Sequence, residues 1–75
     1  MSGTMIVWRQ HHQFGDGRSY AVELLNEAGE GVQSWSCPNA SSLVRSIRTL
    51  IESPSAVLDA LHKPGDTWRG RIGLT

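Results

Sequence analysis

The first part of the chain alternates, and in its opening strand both sides of the alternation are apolar. Thr4–Gln10 (TMIVWRQ) is rich in β-formers, with Met5 and Val7 on one face and Ile6 and Trp8 on the other. Arg18–Leu25 (RSYAVELL) predicts a second strand. Tyr20, Val22 and Leu24 point one way there, and Ser19, Ala21 and Glu23 the other, the signature of a half-buried sheet. Asn26–Gly31 (NEAGEG) carries the Asn and Gly residues of a hairpin turn. Val32–Cys37 (VQSWSC) predicts a third strand, in which Ser34 and Ser36 face with Val32 while Trp35 faces with Cys37 and Gln33. Pro38 stops it, because proline cannot donate to a sheet ladder.

Beyond Pro38 the period changes from two to 3.6. In Ser42–Ser53 (SLVRSIRTLIES), Leu43, Val44, Ile47, Leu50 and Ile51 form one apolar stripe at helical spacing, with Arg45, Ser46, Arg48 and Thr49 off it. This predicts an amphipathic helix between positions 40 and 52, capped by Asn39 or one of the serines after it. A charge on that stripe is expected to unfold the domain, with Leu50→Asp as the test case. Ser53-Pro54 reads as an N-cap with proline at the first helical position. Pro54–Lys63 is then a shorter helix able to turn Ala56, Val57, Ala60 and Leu61 to the core. Pro64 and Gly65 end it. Thr67–Leu74 predicts a last strand, with Trp68, Gly70, Ile72 and Leu74 on one face and Arg69 and Arg71 on the other. The order βββααβ predicts the α+β class, an antiparallel sheet with two helices on one face, as one domain over residues 1–75.

Residues 18–50 resemble a ββα unit of the YegP-like small domains. The likeness rests on Tyr20, Val22 and Leu24, the turn ending in Gly29-Glu30, then Ser42 and Ile47 in the serine-rich step and helix. The chain departs from that pattern at Gly31, an extra residue after the turn, and in its second helix and final strand. Similar strand-strand-helix patterns occur in small HicB-type antitoxins and in small phage-encoded inhibitors of bacterial defence. The resemblance implies a fold and no settled activity.

Composition narrows the functional classes. A 75-residue domain buries only about 60% of its unfolded surface, so size alone leaves room for a homodimer. The formal net charge of +0 argues against a dedicated electrostatic binder of nucleic acid. Charge is uneven, however. Arg9 and Arg18 stand against Asp16, Glu23, Glu27 and Glu30 in residues 1–41. In residues 42–75, Arg45, Arg48, Lys63, Arg69 and Arg71 stand against Glu52, Asp59 and Asp66. Arginine suits bidentate and stacked contacts. Cys37 is the single cysteine, so no internal disulfide forms and a reducing compartment fits best. No run of residues has the length or hydropathy of a membrane span or a signal peptide. The expected location is cytoplasmic, in a protein of bacterial or phage style.

Catalytic and metal chemistry find little support. Adjacent His11 and His12 point to opposite sides of an extended chain, and no second ligand pair exists, so no metal or other cofactor is expected. Cys37, at a strand end before Pro38, reads as a small buried thiol. The glycines of FGDG and EAGEG open no helix and precede no Lys-Ser/Thr, so they read as turns. QHHQFGDGR reads as a strand connection, from which His11, His12 and Phe14 could still reach a partner. Binding is the class that remains. Three tryptophans are many for this length, and tryptophan and arginine lead at interface hot spots. Trp35 and Trp68 are expected to help fill the core, with Trp8 on a strand that could lie at the sheet edge. The residues expected to meet a partner are Trp8, Arg9, Phe14, Arg45, Arg48, Arg69 and Arg71. If the first and last strands are neighbours, Trp8, Arg9, Arg69 and Arg71 share one surface. The expected function is a non-enzymatic protein-binding module, for example a phage or mobile-element accessory of the anti-CRISPR kind that inhibits a host or defence factor. The alternative is a nucleic-acid-binding domain using the Arg-rich second half.

Overall fold

The computed structural model describes residues 2–10 and 19–73. The chain runs β1 (Ser2–Arg9), β2 (Tyr20–Leu25), β3 (Gly31–Cys37), α1 (Ala40–Ile47), α2 (Pro54–Ala60) and β4 (Thr67–Gly73). The strands form one antiparallel sheet in the order β3-β2-β1-β4. The two helices therefore carry the chain from one edge of the sheet to the other. β4 returns beside β1, which puts β1 and its Trp8 in the interior of the sheet and, of the two placements the sequence leaves open, selects the one with the first and last strands as neighbours.

The alternation explains the core. Met5 and Val7, Tyr20, Val22 and Leu24, Cys37, and Ile72 point to one face and cluster with Leu43, Ile47, Val57 and Leu61 from the helical layer. Trp35, Leu50, Ile51, Leu58 and Trp68 pack partly buried against this cluster. Both helices therefore cover the same face of the sheet.

The β2–β3 hairpin is organised by Asn26. Its Oδ1 accepts from the Ala28 and Glu30 amides at 2.9 and 3.0 Å, and its backbone N–H donates to the Glu30 carbonyl at 2.9 Å. Gly29 closes the turn at φ +83°, a left-handed conformation that glycine adopts without a Cβ penalty. The ladder shifts after Leu24↔Gln33, because Leu25 pairs with Gly31. Val32 is the extra residue of this bulge and is 55% exposed.

Asn39 is the cap of α1, its Oδ1 accepting from the Ser42 amide at 2.8 Å. The helix stops at Ile47, earlier than its apolar stripe suggests. The amides of Leu50 and Ile51 both donate to the Ile47 carbonyl, at 2.9 and 3.1 Å, so the chain tightens into a turn. Ser53, before Pro54, is held outside the helical region (φ −125°, ψ 78°), so the first helix cannot run on into α2. Leu50 and Ile51 keep the helical spacing yet sit half-buried on the turn. In α2, Val57 is buried and Leu61 follows it inside, whereas Ala56 and Ala60 are exposed, contrary to the expected four-residue face. Leu58 takes the remaining inward position.

A polar node fixes the approach to β4. Asp66 Oδ2 accepts from the amides of His62 and Lys63 at 2.9 and 3.0 Å, while Gly65 N–H donates to the Arg9 carbonyl at 2.8 Å. Gly65 sits at φ +93°. Asp66→Ala leaves two turn amides to water, and its expected cost is about 1 kcal/mol in a denaturant melt. An unchanged midpoint would show that the node does not hold the turn.

Candidate interaction surface on the open sheet face

The second face of the sheet carries the side chains that alternate with the core set. Across the strands they lie in rows. Ser36, Ala21, Trp8 and Thr67 form one row, and Ser34, Glu23, Ile6 and Arg69 the next. Leu25, Thr4 and Arg71 form the third. No described helix packs on this face. Ala21 is nevertheless only 6% exposed, and it lines a shallow depression with Trp8, Gln10, Glu23, Ser34 and Ser36. Trp8 and Ile6 are half-buried, while Arg69, Arg71, Ser34 and Ser36 are exposed. Glu23 runs toward the hairpin, with its Oε1 3.4 Å from where a Cβ on Gly31 would stand. Among the described residues no ion pair joins Glu23 to Arg69 or Arg71.

The structure brings Trp8, Arg69 and Arg71 onto one surface and leaves the other expected partner residues elsewhere. Arg9 alternates to the opposite side from Trp8, and its Nη1 donates to the His62 carbonyl at 2.7 Å. Its Nε is buried without a hydrogen-bond partner among the described residues. Arg9 thus clamps the α2–β4 turn and does not join the other three. Arg45 and Arg48 are exposed on α1 and its C-terminal cap, in the helical layer across the sheet from Arg69 and Arg71. Phe14, His11 and His12 lie outside the described residues. Ile6, Ala21 and Glu23 belong to the surface, although sequence reasoning did not select them. Their signal was the doubly apolar alternation of β1, which leaves Ile6 and Trp8 unused by the core.

Other polar groups are structural. Cys37 is buried, with its Sγ 3.5 Å from Ser46 Oγ. Ser46 also accepts from Trp35 Nε1 at 3.1 Å and donates to the Leu43 carbonyl at 2.9 Å. This chain of bonds ties β3 to α1. At the far end of the open face, the Ser2 amide and hydroxyl donate to Glu27 Oε1 at 3.1 and 3.0 Å. The amide bond first, then the hydroxyl, holds the Glu27 carboxyl below its ordinary value of 4.5. No group of three or more His, Cys, Asp or Glu side chains among the described residues is placed to hold a metal ion. No described helix is long and apolar enough to cross a membrane. Comparison with protein-family models, curated proteins and solved structures returned no match.

Proposed function

We propose that this protein is a small non-enzymatic protein-binding module that meets its partner through the open face of its sheet. The observation that supports this reading is the juxtaposition of Ile6, Trp8 and Ala21 with Arg69 and Arg71 on a face left bare by the described helices. An apolar centre with arginines at its margin is the composition of an interface hot spot. A partner covering it gains the desolvation of Trp8 and Ile6 while the guanidinium groups keep contact with water or with carboxylates at the rim. The likeness of residues 18–50 to YegP-like domains belongs to this reading as a relation of fold. The anti-CRISPR-like role, blocking a host or defence protein, is one that a neutral domain of this size suits.

The nucleic-acid alternative draws less support, because the cations of the second half are divided. Arg69 and Arg71 project from the sheet, whereas Arg45 and Arg48 belong to the helical layer. Glu23 also stands in the same row as Arg69. The four described arginines of the second half are thus split two and two between the faces, with an acid beside one pair, which gives a phosphate backbone no continuous arginine track.

Affinity capture from a bacterial lysate tests the reading with two baits of equal charge change. Arg69→Glu/Arg71→Glu is expected to lose the captured protein, and Arg45→Glu/Arg48→Glu to keep it. Equal capture by both baits would remove the assignment of the face. Tight oligonucleotide binding at low salt that collapses as salt rises would replace the protein partner with nucleic acid.

A further inference from the structure

We infer that the open sheet face is self-complementary and that it pairs two copies of this chain face to face. The inference rests on the proposed role of that face and names its occupant. Across the middle row the order is Glu23 on β2, Ile6 on β1 and Arg69 on β4, an acid, an apolar residue and a base at equal spacing. Arg71 follows Arg69 on the same face of β4, next to Thr4. The Glu23 carboxylate leans toward Gly31, and so toward the row that holds Arg71. A two-fold axis running along β1, midway between two facing sheets, keeps position along the strand and exchanges left for right. It sets Glu23 of each copy against Arg69 and Arg71 of the other. Ile6 then meets Ile6 and Trp8 meets Trp8 on the axis.

The charge pattern also selects this axis. A two-fold axis across the strands along the middle row would set Glu23 on Glu23 and Arg69 on Arg69, a repulsive arrangement at both ends of that row. The favoured arrangement is the aligned class of sheet packing, with strands of the two sheets within about 30° of each other. It gives Glu23, Arg69 and Arg71 the partners they lack within the described chain. Trp8 gains an aromatic contact in place of half-exposure.

The size of the face sets the strength. A two-fold axis along β1 overlaps β2, β1 and β4 of the two copies and leaves β3 outside, so three strands ~4.8 Å apart and about seven residues at ~3.4 Å each make a face of roughly 350 Å². Two such faces come to about 700 Å², below the roughly 1,000 Å² of stable specific interfaces and in the range of weak association. The dimer is therefore reversible and concentration-dependent.

Sedimentation of the purified chain from ~10 μM to ~1 mM, a range that brackets weak specific association, reads the inference directly. The expected result is a monomer–dimer equilibrium within that range that weakens at high salt as the ion pairs are screened. Glu23→Arg and Arg69→Glu/Arg71→Glu each weaken it at least tenfold, while Glu23→Arg/Arg69→Glu/Arg71→Glu together restore it to within about threefold of wild type. The substituted positions lie outside the core, and a wild-type melting profile for each variant shows that folding is not the cause. A chain that stays monomeric throughout, or a charge swap no better than the one-sided reversals, would overturn the second copy as occupant. The wider reading of the face then stands or falls separately. A monomer whose lysate partner is still lost on Arg69→Glu/Arg71→Glu keeps the face and replaces its occupant.

Discussion

Ile47→Asp is expected to abolish the cooperative unfolding transition, leaving a chain with no folded baseline by circular dichroism at 25 °C. Ile47 is 0% exposed and packs in the cluster built by Met5, Val7, Val22, Leu43 and Val57. It is also the last residue of α1, and its carbonyl accepts the two amides that turn the chain toward α2. An aspartate there faces two costs. Ionised, it is an unpaired charge among apolar atoms, which native structures do not tolerate. Protonated, it still removes most of a large side chain, and large-to-small changes in cores cost about 2–5 kcal/mol before any polar penalty is added. Small domains hold only about 5–10 kcal/mol in total, so either route exhausts the stability available. Leu50→Asp is the informative contrast. Leu50 is half-buried on the turn after the helix, where a carboxylate can reach water. That position revises the sequence-based expectation that Leu50→Asp unfolds the domain: the variant is expected to keep a cooperative melt with a loss of about 1–3 kcal/mol. A folded Ile47→Asp variant would show that the helical layer does not depend on this residue.

The same pair of residues shows what periodicity carries and what it leaves out. The stripe from Leu43 to Ile51 placed four of its five side chains correctly, since Leu43 and Ile47 are fully buried and Leu50 and Ile51 pack against the core, while Val44 stays outside the core cluster. It could not say where the helix ends, because a turn can keep the same residues facing inward. The information that ended it was local and sterically simple, the non-helical backbone demanded at Ser53 by Pro54. The strands were legible for a related reason. Alternation fixes which face a residue takes, and the core members of β1 and β2 follow it. The position of β4 was not legible, since pairing with β1 depends on how far two short helices carry the chain across the sheet. That one long-range fact decides the surface. It sets Trp8 in the interior of the sheet, joins it to Arg69 and Arg71, and shows Ile6 and Glu23 to be their neighbours. Arg9, adjacent in sequence to Trp8, turns to the other side and is spent on the His62 carbonyl.

Gly70→Ala is expected to cost about 2–3 kcal/mol, a large effect for one methyl group in an edge strand. Gly70 lies on the core side of β4, opposite Met5 across the ladder. The indole of Trp68, two residues earlier on the same face, folds over it. A Cβ built on Gly70 would clash with Trp68 Cη2 and with Cζ2 at 2.7 Å, closer than real Cβ atoms approach, and would crowd Cζ3 at 3.1 Å. The restriction comes from this close packing, as Gly70 has no positive φ to maintain. Alanine must therefore push the indole away from the core cluster, and the burial and dispersion contacts of a partly buried tryptophan are lost with it. The double substitution isolates the cause. Once Trp68→Ala has removed the ring, the three atoms nearest the added methyl are gone, and alanine's lower unfolded-state freedom in a strand is expected to gain about 0.5–1 kcal/mol. Gly70→Ala is thus destabilising with Trp68 present and neutral or stabilising without it. Denaturant melts of the four proteins give the coupling energy, and tryptophan emission shifting to longer wavelength in Gly70→Ala reports the displaced ring. Additive losses in the double variant would mean that some contact other than Trp68 requires the glycine.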